Sequence, residues 1–217
     1  MKETLNKIRI PDKNIKLKNK ILNPFLLVLF GVILGVFSKW LDNLSINDSV
    51  WWQHILGILD LSNIFSSFGI WLLIAVTISV FSKTPRRASI NVLLFFLGMT
   101  ISYHLYTIFF SGFNPMQYMM IWYGFTLISP LLAYICWYAK GKSKISTLIS
   151  SLILSIMLIS SFNIGIGYFD LTSVIDLFIF IGTVLVLYTN PKNTIYSLVI
   201  SIILAFVIRG IVIYLPI

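Results

Sequence analysis

The chain has 217 residues, is 58% hydrophobic and 11% charged, and has a mean hydropathy of +0.94. A water-soluble domain needs more charge to cover its surface, so these values exclude an ordinary soluble protein and point to a polytopic membrane protein. The formal charge of +9 sits in short connectors rather than on a basic, aromatic-bearing domain, which argues against nucleic acid as a partner.

Residues 1–20 carry Lys2, Lys7, Arg9, Lys13, Lys16, Lys18 and Lys20 against Glu3 and Asp12. Such a segment is expected on the anionic cytoplasmic leaflet, and no A-x-A-like cleavage site follows it. The first apolar run, about 22–40, reads as a retained signal anchor, with Asn23 as its cap, Pro24 in its first turn and a Gly31-xxx-Gly35 pair for close helix approach. The segment 48–60 reads as an external interfacial helix, with Trp52, Ile55, Leu56 and Leu59 on one face and Gln53, Gly57 and Asp60 on another.

Span two is expected at 64–82, span three at 90–110 and span four at 117–138, where Pro130 removes a backbone hydrogen bond and predicts a kink. Span five, 145–162, carries Thr147, Ser151 and Ser155 as a helix-packing stripe. Span six is expected at 171–189 and span seven at 195–215, giving an all-α bundle of about seven spans, or six if the last does not cross.

Charge placement orients the bundle. The connectors on one side hold seven, three, three and one basic residues, which accounts for all but Lys39 and Arg209 of the sixteen. The positive-inside rule then puts the N-terminus in the cytoplasm. The richness in Ile, Asn, Lys and Phe suggests an A/T-rich genome and hence a bacterial cytoplasmic membrane.

Ionisable residues inside spans are costly and read as functional candidates. At ~1.5 Å per residue, Arg209, Asp176 and His104 each fall ~9 Å inside the expected outer surface. Asp176 and Arg209, on consecutive antiparallel spans, are expected to form an ion pair. His104 reads either as a structural histidine bonded to a nearby hydroxyl or as a ligand contact. Lys39 reads as an interface anchor or as a group reaching a pocket mouth; Trp122 reads as a belt aromatic or as a wall of a site, and Tyr106, in the polar outer end of span three, as a second wall.

Enzymatic templates are missing: the chain has no HExxH, no G-x-S-x-G and no phosphate-cradling glycine loop, and Cys136 is the only cysteine. No cofactor, metal or catalytic role is therefore expected. Two functions remain open. One is a transport-related protein that binds a small solute from outside through Lys39, His104, Tyr106, Trp122, Asp176 and Arg209. At class level the chain resembles the substrate-capturing S components of energy-coupling-factor transporters, in its modest size, its basic start and the Gly31/Gly35 pair. That resemblance implies solute capture and a partner helix. The other is a non-catalytic assembly, immunity or regulatory subunit acting through helix contacts, with another membrane subunit or with itself.

Overall fold

The computed structural model describes residues 2–12, 17–47, 49–165, 168–171 and 173–214. Lys13, Lys16, Asp48 and Leu215, the last residue of span seven, lie outside them. Of the described residues, 82% are helical. In chain order the helices are α1 (Lys2–Ile8), α2 (Leu17–Asp42), α3 (Trp51–Ile58), α4 (Leu61–Ser66), α5 (Phe68–Phe81), α6 (Pro85–Tyr106), α7 (Met116–Trp137), α8 (Lys144–Ser161), α9 (Val174–Leu187) and α10 (Pro191–Tyr214). Among the described residues, five segments are long and apolar enough to cross a membrane: Leu22–Asp42, Pro85–Ser111, Met116–Lys140, Lys144–Ser161 and Pro191–Ile211. The other two expected spans, at α5 and α9, are helices of 14 residues each. That is ~21 Å of helix, short of a ~30 Å hydrocarbon core.

Local chemistry explains most departures from the expected boundaries. Asn23 does not cap α2: the helix begins at Leu17, so Pro24 is interior. Span three starts earlier than expected because Thr84 accepts a hydrogen bond from the Arg87 N–H and Pro85 occupies the first helical position. Beyond α6 the chain makes a π-helical turn, Thr107–Ser111, which Gly112 ends at φ 74°, a conformation that glycine adopts without strain. The external helix is shorter than expected. Asp60, at φ 48°, breaks it from α4, and its carboxylate accepts from the Asn63 side-chain amide at 2.9 and 2.8 Å.

A two-stranded antiparallel hairpin, β1 (Phe162–Gly165) and β2 (Tyr168–Leu171), pairs Phe162 with Leu171 and Ile164 with Phe169. The expected spans 145–162 and 171–189 make the stretch between them a connector. Its signal is the alternation of buried Phe162 and Ile164 with exposed Asn163.

The chain divides into two compact units. The first comprises Met1–Pro11, Ser67–Phe81 and Ile135–Ile217; the second comprises Asp12–Ser66 and Ser82–Tyr134. In the first, α8 packs on α10 and α9, α5 packs on α9, and Val76, Val80, Cys136, Ala139, Leu154 and Leu187 form a buried apolar cluster. In the second, α2 and α6 make the dominant helix pair, and α4 packs against α2.

The α2–α6 pair is built on glycine. A Cβ at Gly31 would collide with the Phe95 carbonyl, one at Gly35 with the Met99 carbonyl and Ser102 Oγ, and one at Gly98 with the Val28 carbonyl. Backbones this close gain dispersion along the whole seam, and Ser102 Oγ adds a hydrogen bond to the Val32 carbonyl at 3.2 Å. In α7, Ser129 Oγ donates to the Thr126 carbonyl at 2.8 Å, supplying the partner that Pro130 withholds. Ser89 Oγ reaches the Pro130 carbonyl at 2.7 Å and ties α6 to α7.

Candidate functional site

In the second unit, the C-terminal end of α2 presents Lys39 and Asp42, one helical turn apart. Asp42 is a hub. Its Oδ2 accepts from Tyr103 Oη at 2.7 Å, and its Oδ1 accepts from Ser66 Oγ at 3.2 Å and, more weakly, from Ser62 Oγ at 3.4 Å. These bonds fasten α2 to α6 and to α4. Lys39 is 7% exposed, and its Nζ stands 3.8 Å from Asp42 Oδ2, beyond hydrogen-bond range. The ammonium also faces the rings of Tyr103 and Phe113, 5.4 and 5.6 Å from their centroids, within cation–π reach. Neither Asp42 nor Tyr103 was among the candidate ligands. The Lys-x-x-Asp spacing on α2 is the signal that could have found the carboxylate, because i and i+3 share a helix face.

His104 follows Tyr103 and turns to other partners. Its Nδ1 is 2.8 Å from Tyr123 Oη and its Nε2 is 2.8 Å from Asn114 Oδ1, so both ring nitrogens are engaged. Trp122 packs edge-on against Tyr118, which in turn meets Tyr103. Tyr106 stacks near Phe110 and borders an open apolar groove of about 390 Å³ with Val32, Ile33, Val36, Phe37 and Trp40.

The first unit holds the other two ionisable candidates, and the expected ion pair between them is not formed. Asp176 is buried in the first turn of α9. Ser173, the N-cap, accepts from the Asp176 N–H at 3.1 Å and donates its hydroxyl to Oδ2 at 3.0 Å. The carboxylate thus serves its own helix start, where a negative charge also suits the dipole. Arg209 is half-buried, and its Nε donates to the Ile164 carbonyl on the hairpin at 3.3 Å. The hairpin supplies the acceptor that Asp176 was expected to provide.

Ser151 and Ser155 are buried on α8, where their hydroxyls return to the Thr147 and Leu152 carbonyls of the same helix at 2.8 Å. Across the α8–α10 seam, Ser197 Oγ donates to the Thr147 carbonyl at 3.3 Å. A crevice beside this seam, lined in part by Thr147, Ser150, Asn193, Thr194 and Ser197, has about 10 Å³ of free space, enough for one water molecule.

Arg9 has a role the sequence did not suggest. Its guanidinium donates to the carbonyls of Trp137 at 2.6 Å and Val80 at 2.9 Å, the last turns of α7 and α5, and lies 4.1 Å from the Trp137 ring centroid. Burial lowers its pKa from the ordinary arginine value, though a guanidinium stays charged throughout. Lys140 repeats the device, donating to the Val186 carbonyl in the last turn of α9 at 2.8 Å. Cations at helix C-termini satisfy orphan carbonyls and oppose the dipole.

Among the described residues, no group of three His, Cys, Asp or Glu side chains is placed to hold a metal ion. Comparisons with protein-family models, with curated proteins and with solved structures found no match to this chain.

Proposed function

We propose that this chain is a non-catalytic accessory subunit of a bacterial cytoplasmic membrane, acting through contacts between its exposed helix faces and another membrane protein. One observation carries the reading: three of the groups expected to greet a solute, His104, Asp176 and Arg209, are engaged inside their own units. His104 uses both ring nitrogens on Tyr123 and Asn114, Asp176 closes the cap of α9, and Arg209 holds the hairpin. The Gly31/Gly35 pair is likewise consumed by α6, which removes the partner-binding feature shared with S components. What remains for a partner is apolar surface, most of all on α10, whose apolar stretch is only 17% buried.

The same proposal takes all seven apolar helices as crossing, with the N-terminus inside. Support comes from Arg9 and Lys140, which cap the ends of α5, α7 and α9 in the first unit; such a basic end belongs in the cytoplasm under the positive-inside rule. Cysteine placed at Lys142 should resist an impermeant reagent in intact cells, and labelling there would reverse the orientation.

Photo-crosslinking residues at Val199, Ile203 and Phe206, exposed positions of α10, test the accessory role. A discrete heteromeric adduct from these sites, and none from buried Ser197 or Ser201, is the expected result. No adduct from any α10 position would defeat it. Capture of a small solute from outside is the second reading, favoured by the convergence of Lys39, Asp42 and Tyr103 in one unit. Selective thermal stabilisation by a vitamin, amino acid or other soluble compound would establish it in place of the first.

A further inference from the structure

We propose that Lys39 is the receiving group of an anion site that takes a phosphate oxygen. The Lys39 side chain is 9% accessible, and among the described residues none accepts a hydrogen bond from its ammonium. Its three N–H donors face two aromatic rings and a carboxylate at 3.8 Å. Asp42 is the counter-ion but does not bond them: Nζ stands 3.8 Å from Oδ2, which accepts from Tyr103, while Oδ1 accepts from Ser62 and Ser66. Those hydroxyls also hold the carboxylate in place and draw off part of its charge, so it balances the ammonium electrostatically without bonding it.

A nearly buried cation whose donors the described residues leave unused is open to an acceptor from outside the fold. The ring faces of Tyr103 and Phe113 favour the cation and offer no oxygen, so an incoming phosphate oxygen would complete the donor set. The neighbouring Trp40 stacks on Trp52 of α3 at 6.3 Å, an aromatic pairing suited to the headgroup level, where phosphates are concentrated. A phosphodiester headgroup and a free phosphate share the chemistry. The site stands whether or not the helix faces hold a partner.

The test uses the full chain. Native mass spectrometry of protein released from nanodiscs of phosphatidylglycerol and phosphatidylcholine counts retained lipid, and ³¹P line broadening with inorganic phosphate reports the free ion. Retention of phosphatidylglycerol that falls at least tenfold in Lys39→Gln, and is largely kept in Lys39→Arg, is expected for a headgroup site. Phosphate broadening lost in Lys39→Gln, without selective lipid retention, assigns the same site to a soluble phosphate. Asp42→Asn is the second variant, read independently of whether Lys39→Gln folds: removing the competing carboxylate should tighten either probe several-fold. Equal binding of both probes by the unmodified chain, Lys39→Gln and Asp42→Asn would overturn the proposal, as would a failure of the unmodified chain to bind either probe.

Discussion

Two helix pairs in this protein are sealed by small residues in different ways. In the second unit, α2 and α6 meet backbone to backbone at Gly31, Gly35 and Gly98, where no side chain fits. In the first unit, α8 and α10 meet through serines, most of whose hydroxyls return to their own helix, with Ser197 reaching across. A glycine seam has little slack, because added atoms meet main chain at all three positions, with Ser102 Oγ beside it at Gly35. A serine seam keeps a spacer of one or two atoms and distributes its strength over many weak bonds. The first unit makes up the difference at its helix ends, where Arg9, Lys140 and Ser173 satisfy terminal groups.

Substitution should separate the two designs. Gly35→Leu should have the largest effect, forcing α2 from α6 at a cost of about 3 kcal/mol, the upper part of the usual overpacking range, with Gly35→Ala intermediate. Unfolding in mixed detergent micelles reads this directly, and an unchanged midpoint would show that α2 and α6 are not in contact at Gly35. Arg9→Ala comes next. Losing charge-assisted bonds to two helix ends from a half-exposed side chain should cost about 1–2 kcal/mol, with Arg9→Lys recovering only part, since an ammonium lacks the planar fork.

Ser173→Ala removes an N-cap and should cost about 1 kcal/mol, with exchange of the first amides of α9 accelerating before the rest of the helix. The smallest effects belong to the serine seam. Ser197→Ala, which deletes the interhelical bond, should cost about 0.6 kcal/mol, and Ser151→Ala should cost still less because its hydroxyl serves only its own helix. A loss above that of Arg9→Ala at either serine would erase the distinction between the seams.

Much of the architecture was legible because a bilayer allows few solutions. Runs of apolar residues near the length of a membrane crossing had to be helices, and among the described residues five of the seven have the length to cross. Boundaries were harder. Thr84 and Pro85 moved the start of α6 earlier, Asp60 broke the external helix, and the Phe162–Leu171 segment paired as a hairpin that a search for helical periodicity passes over. The candidate site was legible only as a list of costly residues. Asp176 and Arg209 were natural partners by charge and chain order, but a serine three residues away and a carbonyl on the hairpin won them instead.

From its sequence alone, then, this protein was determined to be a helical, membrane-embedded chain with a biased distribution of basic connectors. Those properties follow from the cost of unpaired backbone and exposed charge in hydrocarbon, which acts on each segment separately. Only the tertiary structure decided that Gly31 and Gly35 serve α6, that Arg9 caps two helices far along the chain, and that Asp42 gathers three hydroxyls while Lys39 gathers no hydrogen bond from the described residues. Such pairings depend on the azimuth and register at which distant helices meet, and composition and spacing along one chain do not contain them.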